Sequence, residues 1–269
     1  VQVLLRQTMA DRPIIDVTID GVRHRIFVET PPERIAAIQK HMRAKPMFIA
    51  DGHHRFEVAC QFKRWMESQH GSARKHGGPA SVGGWNYVMT YFSDCLHNPF
   101  KIFPTHRLVR WTQKGSALEA LRKKGNLEKV RGLTAVLSRL AGSGKRGRYD
   151  FGVYLKKEGF FILTLDKKLA SKAGNGSVER LDVSALHRFL VEPCFGIRSI
   201  EKSEAIDFTR DAKEAVEKVS AGNFDAALFL RPTSLADMLA ASKKGLKMPQ
   251  KSTYFYPKLL SGLVFHALD

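Results

Sequence analysis

The sequence predicts a mixed α+β fold, and two stretches of alternating pattern carry that prediction. Residues 13–30 alternate apolar and polar side chains on either side of Asp20-Gly21, a dipeptide typical of the tight turn of a β-hairpin. Residues 205–243 switch twice between a short apolar run and a stretch with helical periodicity. This order of strand, helix, strand and helix indicates a layered α/β or α+β domain.

The first residues form an apolar run over positions 1–5, which we predict to be a strand. Because the chain starts at Val1 rather than at a methionine, we also expect that an N-terminal part precedes it. After the hairpin, Thr30 is followed three residues later by Glu33, the spacing of a capping box. A helix capped by Thr30 is therefore predicted.

The middle of the chain combines apolar runs with a polar, glycine-rich stretch. Residues 47–50 are wholly apolar, as expected of a buried strand, and residues 55–67 have helical periodicity. Residues 68–84 are predicted to be a mobile loop, long enough to cover a site. We further predict a strand over 85–92 and an extended segment over 100–108.

The second half continues as a mixture of helices and strands. We place a soft domain boundary near residue 112, which divides the chain into portions 1–112 and 113–269. The second portion is predicted to be of α/β type. It is expected to contain helices near 115–124 and 127–140, a hairpin of 151–155 and 160–165, and a helix over 182–191 capped by Asp182 or Ser184.

The charge balance favours anionic partners. The formal net charge is +18, from 44 Lys and Arg against 26 Asp and Glu, and such a field attracts nucleic acid or phosphorylated metabolites. The alternative is that the excess is spread over solvated faces, since no basic run with interleaved aromatics occurs. No apolar stretch is long enough for a membrane span. The three cysteines form no disulfide or zinc pattern, so a cytoplasmic protein is expected.

The segment Asp51-Gly52-His53-His54-Arg55 predicts a phosphate-binding loop. Gly52 lets the backbone turn sharply and approach a ligand, and the following helix offers free N–H groups and a positive dipole end. Arginine binds phosphate in a bidentate manner, and histidine donates a hydrogen bond or a proton. Asp51 could orient a histidine, act as a base or hold a metal ion.

Two other interpretations of this segment remain. His53 and His54 could simply cap the helix while Arg55 pairs with an acidic neighbour. A metal site built from Asp51, His53 and His54 is a further alternative, but adjacent residues seldom reach one ion and the sequence offers no third, distant ligand. We predict no metal site.

The segment resembles the signature of a bacterial and archaeal family known as domain-of-unknown-function family 1015. The resemblance extends over essentially the whole chain, and members of the family tend to be longer at the N-terminus. The matching stretches are Ile49 to Glu57, Phe103-Pro104-Thr105-His106-Arg107-Leu108, Ala227 to Thr233, Met248 to Leu259 and Gly262-Leu263-Val264, together with Val22-Arg23-His24-Arg25 in the opening hairpin.

A more distant similarity concerns the ParB/sulfiredoxin superfamily, which includes ATPases, CTPases and free serine kinases. There a strand, a short Gly-containing loop with His or Arg, and a helix bind nucleotide phosphates. The resemblance implies a ParB/sulfiredoxin-like portion over 1–112, with Gly52, His53, His54 and Arg55 as the phosphate cradle.

Two further polar clusters are candidates for the same site. Thr105-His106-Arg107 would add a second His-Arg pair if it lay beside the first loop, although His106 could be a turn residue and Arg107 a surface cation. Lys251 and Ser252 could present donors to an anion. The aromatic residues that follow them are better explained as core.

The leading hypothesis is a nucleotide-dependent phosphotransferase or phosphohydrolase that acts on a small metabolite, with serine or phosphoserine as the specific guess. Arg55 and the helix N-terminus would hold the phosphates of ATP or ADP, with or without magnesium. His53 or His54 would stabilise the transferred charge, and Asp51 or Glu57 would activate the acceptor. The alternative is a nucleotide-binding regulator or nucleic-acid-associated protein of ParB type, without metabolite chemistry.

Overall fold

A computed structural model describes residues 1–70, 83–95, 97, 100–143, 148–174, 176–200, 203–249, 251–256 and 258–268. It shows a mixed α+β chain, as the sequence predicts. The chain divides into two compact units, Val1–Ile49 and Ala50–Asp269. Most of the loop predicted over 68–84 lies outside the described residues.

The first unit contains the predicted hairpin and two helices. Asp20 and Gly21 both have positive φ, 52° and 74°, as the tight turn requires. The predicted strand at positions 1–5 is wrong, because these residues belong to a helix. The elements are α1 (Gln2–Thr8), β1 (Ile15–Ile19), β2 (Val22–Ile26) and α2 (Pro32–Met42).

The second unit is built around a six-stranded sheet in which every pairing is antiparallel. Its strands, in chain order, are β4 (His106–Val109), β5 (Gly125–Val130), β6 (Asp150–Leu155), β7 (Gly159–Leu165), β8 (Ile206–Thr209) and β9 (Ala226–Phe229). Their spatial order is β5-β7-β6-β9-β4-β8. Thus β4, which precedes the predicted boundary near 112, pairs with β8 and β9, which follow it.

Each face of this sheet carries its own hydrophobic core, because side chains alternate between the faces along a strand. Phe151 and Val153 belong to one core, and Leu108 and Phe229 to the other. Helices cover both cores. They include α4 (Ala117–Arg122), α7 (Asp182–Leu186) and α8 (Glu192–Phe195) on the first, and α5 (Leu133–Ala141) and α9 (Ala212–Ser220) on the second.

The remaining elements of the second unit position the candidate site. A small antiparallel ribbon joins β3 (Lys101–Phe103) to β10 (Tyr254–Tyr256). It fixes the C-terminal segment beside the strand that leads into β4. The other helices are α3 (His53–His70), α6 (Lys167–Ala170) and α10 (Leu235–Lys243). None of the described helices is both long and apolar enough to cross a membrane.

Several predicted elements are wrong. Residues 47–50 and 85–92 form no strand, and most of their side chains are exposed rather than packed in a sheet. The helix predicted over 127–140 is divided, since residues 125–130 form β5 and the helix starts only at Leu133.

The predicted helix caps are also wrong. No side chain caps α2 or α7, whose N-caps are Pro31 and Leu181. Instead, Asp182 forms an ion pair with Arg231, and the Ser184 hydroxyl donates to the Val178 carbonyl over 2.7 Å. Both side chains are therefore committed to tertiary contacts.

Candidate functional site

The predicted phosphate loop forms the start of the long helix α3. Gly52 adopts φ +86°, a left-handed conformation that glycine tolerates without a steric penalty, and its carbonyl accepts the Phe56 N–H over 3.0 Å. His53, His54 and Arg55 form the first turn of the helix, and all three are exposed. No acidic residue lies in that turn.

Hydrogen-bond donors converge at this helix start. Among the described residues, no group accepts a bond from the backbone N–H of His53, His54 or Arg55. The Arg55 guanidinium folds back over Gly52, where a Cβ atom would come within 3.0 Å of Arg55 Nη2. The loop therefore presents three backbone donors and one planar cation to an anion, together with the positive end of the helix dipole.

Asp51 is held by contacts on both of its oxygens. Oδ1 accepts the Gly52 N–H over 2.9 Å, and Oδ2 accepts from Lys258 Nζ over 2.7 Å. Partial burial acts to raise the pKa of Asp51, but the bond to Lys258 and the positive charges of Lys258 and Arg55 outweigh it, so the pKa lies below its usual value. Asp51 is consequently a carboxylate at neutral pH and a weak base.

Glu57 is paired in a similar way with a second lysine of the C-terminal stretch. Lys247 Nζ donates to Glu57 Oε1 over 2.9 Å and lowers the pKa of Glu57, while His54 Nδ1 lies 3.7 Å from Oε2. By contrast, Arg55 forms no ion pair with any described carboxylate. The interpretation in which Arg55 pairs with an acidic neighbour is therefore wrong for the described part of the chain.

Two further cations lie against the same aromatic ring. Lys258 Nζ lies 4.9 Å from the centroid of the Tyr254 ring, and the Arg210 guanidinium carbon lies 4.6 Å from the same centroid. Arg210 also donates a hydrogen bond to the Tyr254 hydroxyl. Tyr254 belongs to β10, so the ribbon with β3 holds the ring that these two cations share, and one of them, Lys258, contacts Asp51.

The second predicted cluster lies in the interior of the protein. His106 and Arg107 on β4 are 1% and 0% exposed, so the interpretation of Arg107 as a surface cation is wrong. The Leu230 N–H donates to His106 Nδ1 over 3.4 Å, and Arg107 Nε donates to His187 Nε2 over 3.2 Å. Burial, together with the positive charge of Arg107, lowers the pKa of His106 to about 4 and that of His187 to about 3.

The third cluster contacts the second cluster. Arg107 Nη2 donates to the Lys251 carbonyl over 3.1 Å, and Ser252 is buried beside it in sequence. Farther along the same segment, Lys258 contacts Asp51. The structure thus joins Thr105-His106-Arg107 to Lys251-Ser252. Among the described residues, no hydrogen bond or ion pair joins either of these two clusters to residues 51–57.

Sequence reasoning missed three residues of this arrangement. His187 carries no motif and lies 80 positions from Arg107 in the sequence. Lys247 immediately precedes the matching stretch from Met248 to Leu259 and Lys258 lies within it, but the sequence assigns neither lysine to the site. Lys247 lies 190 positions from its partner Glu57, and Lys258 lies 207 positions from its partner Asp51. These ion pairs therefore become visible only in the folded structure.

Two clefts occur elsewhere in the second unit. The larger has a volume of about 780 Å³ and is lined by Gln113, Arg188 and Arg198 among others. The predicted loop does not line either of them and is instead open to solvent. Within the described chain, no three His, Cys, Asp or Glu side chains are grouped to hold a metal ion.

The comparison with protein families settles the family. The model of the family described as protein of unknown function (DUF1015) matches residues 1–184, which include the loop, α3 and β4. The chain belongs to this family. The predicted membership is confirmed. None of the curated proteins compared with the chain matches it.

Solved structures with similarity to this family member include free serine kinases. One, a mutant in complex with AMP, has a TM-score of 0.34 and 17% identity over 61% of this chain and 57% of that chain. Another, also in complex with AMP, has a TM-score of 0.36 and 15% identity over 84% of this chain and 81% of that chain. A conserved hypothetical protein from Pyrococcus furiosus has a TM-score of 0.39 and 12% identity over 94% and 81%, respectively. The chain spans 57% of the first of these structures.

Proposed function

We propose that the chain binds the phosphates of a nucleotide, ATP or ADP, at Asp51-Gly52-His53-His54-Arg55. We further propose that it transfers or hydrolyses a phosphoryl group on a small metabolite, with serine or phosphoserine as the first candidates. The observation that carries the proposal is the convergence of three backbone N–H donors and Arg55 at an exposed helix start. Such a start binds anions through its donors and its dipole together.

The roles of the cationic residues follow from the chemistry of phosphoryl transfer. That reaction depends mainly on positioning the phosphates and on stabilising charge on their oxygens. Arg55 and the backbone donors would hold the phosphates, and His53 or His54 would donate to the transferred group. Lys258 and Arg210 extend the positive surface beyond the loop, which suits a ligand with more than one phosphate.

Asp51 and Glu57 are poorly suited to act as strong general bases. The pKa values of Asp51 and Glu57 are both lowered, and a base whose pKa lies far below neutral accepts a proton poorly. Both stay carboxylates at neutral pH, the form in which magnesium is bound together with substrate phosphates. On binding magnesium, Asp51 would give up its ion pair with Lys258, and Glu57 would give up its ion pair with Lys247. A weak base that orients the acceptor hydroxyl is the other role that their position allows.

Replacing Arg55 with alanine is expected to remove most of the nucleotide binding. A hydrogen bond to a charged partner contributes about 1.5–3 kcal/mol, so the affinity should fall at least about tenfold. The measurement is thermal shift against ATP, ADP, CTP, phosphoserine and pyrophosphate, with and without magnesium, followed by calorimetric titration of the best ligand.

A matched control lies on the same helix. Arg64 donates to the Cys60 carbonyl and stands well beyond the first turn, so Arg64→Ala should leave the nucleotide response unchanged. Equal losses in the two variants would show that general positive charge, not the loop, binds the ligand. Absence of any response by the unmodified protein to the whole panel would sink the proposal.

A further inference from the structure

A buried cation without a described carboxylate partner lies on β4, next to the edge strand β8 of the six-stranded sheet. Arg107 on β4 is 0% exposed, and no described Asp or Glu forms an ion pair with it. Buried charges in proteins are normally paired, because removing an ion from water is costly. Burial lowers the pKa of Arg107 to about 9, so the guanidinium is still charged at neutral pH.

The groups around Arg107 are neutral acceptors. Its nitrogens donate to the Thr105 carbonyl, to His187 Nε2 over 3.2 Å and to the Lys251 carbonyl over 3.1 Å. A guanidinium has more N–H donors than these three bonds use. Phe208 covers the cation from one side, with its ring centroid 5.3 Å from the guanidinium carbon. The interior therefore holds one uncompensated positive charge with donor capacity to spare.

The segment over this cation is under local strain. Lys251 has φ +52°, a left-handed conformation that costs a residue with a side chain about 1–2 kcal/mol. The next residue, Ser252, is 6% exposed, and its hydroxyl oxygen has no hydrogen-bond partner among the described residues. Buried hydroxyl groups are nearly always bonded in native proteins. The strained residue whose carbonyl accepts from Arg107 is thus followed directly by a residue with an unsatisfied hydroxyl.

A third irregularity lies at His187, which accepts from Arg107 Nε. His187 begins a π-helical segment, His187–Val191, that interrupts the helix between α7 and α8. Such segments are rare and occur frequently at functional sites. The first residue of this segment is the one that bonds Arg107. Three separate departures from regular structure therefore meet at one buried cation.

We propose that Arg107 and Ser252 bind the carboxylate of a small organic acid, which replaces the Lys251 carbonyl on Arg107 Nη2. The exchange gains a charge-assisted hydrogen bond in place of a neutral one. It also releases Lys251 from its left-handed conformation and gives the Ser252 hydroxyl an acceptor. A carboxylate balances the single charge, whereas a phosphate dianion would leave a negative excess in the same interior. This inference rests on the proposed function, because it identifies the carboxylic acid as the molecule that accepts the phosphoryl group.

The test uses acetate as the probe and chloride at equal ionic strength as the reference. Acetate is expected to raise the Tm of the unmodified protein in a saturable way, by about 2–4 °C near saturation. Arg107→Met should abolish that rise. Methionine has similar length, and replacing a buried charge with an apolar side chain is often tolerated, so the variant is expected to fold. Ser252→Ala removes only the hydroxyl and should weaken the acetate response. This variant provides the test if Arg107→Met does not fold.

The variants also separate this site from the nucleotide loop. Arg55→Ala should lose the ADP response and keep the acetate response, and Arg107→Met should do the reverse. The proposal is overturned if acetate stabilises no more than chloride, or if both Arg107→Met and Ser252→Ala respond like the unmodified protein. A larger Arg107-dependent response to inorganic phosphate than to acetate would equally overturn the assignment to a carboxylate.

Discussion

Lowering the pH from 7 to 4 is expected to cost the protein about 3 kcal/mol of folding free energy through His106 alone. The folded-state pKa of His106 is about 4 and that of His187 about 3, both below the value of 6.5 for an exposed histidine. Below pH 6.5 the unfolded chain therefore binds protons that the folded chain excludes. The stabilisation is complete above pH 6.5 and declines as the pH falls towards 4 and then 3.

The physical cause is that both imidazoles must remain acceptors. His106 Nδ1 accepts the Leu230 N–H, and His187 Nε2 accepts from Arg107 Nε. A proton on either accepting nitrogen would break its bond and place a second positive charge next to the buried guanidinium. His187 would therefore add a loss of similar size between pH 7 and 4, and its contribution would continue to decline towards pH 3.

Urea unfolding at pH 7, 6, 5 and 4 measures this dependence. The control is the double variant His106→Asn, His187→Gln. It keeps a hydrogen-bond acceptor at both positions but has no titratable group at either. The amide oxygen of Asn replaces Nδ1, and that of Gln replaces Nε2. The variant should show a much flatter loss of stability between pH 6.5 and 4. Carboxylates titrate alike in both proteins, so an unchanged pH profile in the variant would contradict the assignment.

The elements that the sequence predicted correctly are those specified by local chemistry. Asp20-Gly21 requires positive φ at both positions, which only a tight hairpin supplies, and α9 begins where Asp211 accepts the Lys213 and Glu214 N–H groups. The hairpin of β6 and β7 and the elements from β8 to α10 follow the predicted order. In each case the signal lies within a few neighbouring residues.

The wrong predictions depended on partners that a local pattern does not reveal. Residues 47–50 are apolar enough for a buried strand, but no described strand pairs with them. The opposite error occurred at β5, where Leu127 and Val130 suited a helix face. These residues instead pair with β7, so tertiary pairing overrode the helical pattern.

The candidate site shows the same division. The exposed turn His53-His54-Arg55 could be predicted, because a glycine before a helix and the cations after it are adjacent in sequence. The burial of Arg107 could not, since a His-Arg pair is usually found at the surface. Its environment is created by β8, β9 and the segment at Lys251, which follow it by about 100 residues or more.

Replacing Gly52 with alanine is expected to weaken nucleotide binding by about 100-fold, which corresponds to about 2.8 kcal/mol. A residue with a Cβ atom at φ +86° costs about 1–2 kcal/mol. The new methyl group would also come within 3.0 Å of Arg55 Nη2 and 3.3 Å of its guanidinium carbon. The guanidinium must then shift by a few tenths of an ångström. A loop that relaxes the strain by turning its backbone also misaligns the three converging N–H donors.

Gly115 provides the control that separates these two effects. Its φ is +94°, yet no atom lies within 4 Å of the position of an added Cβ. Gly115→Ala should therefore lose about 1–2 kcal/mol of stability through the backbone alone and bind the nucleotide normally. Both variants are compared by urea unfolding and by calorimetric titration with ADP. If Gly52→Ala loses stability like Gly115→Ala but retains full affinity, then neither the backbone turn nor the placement of Arg55 over Gly52 contributes to the binding of phosphate.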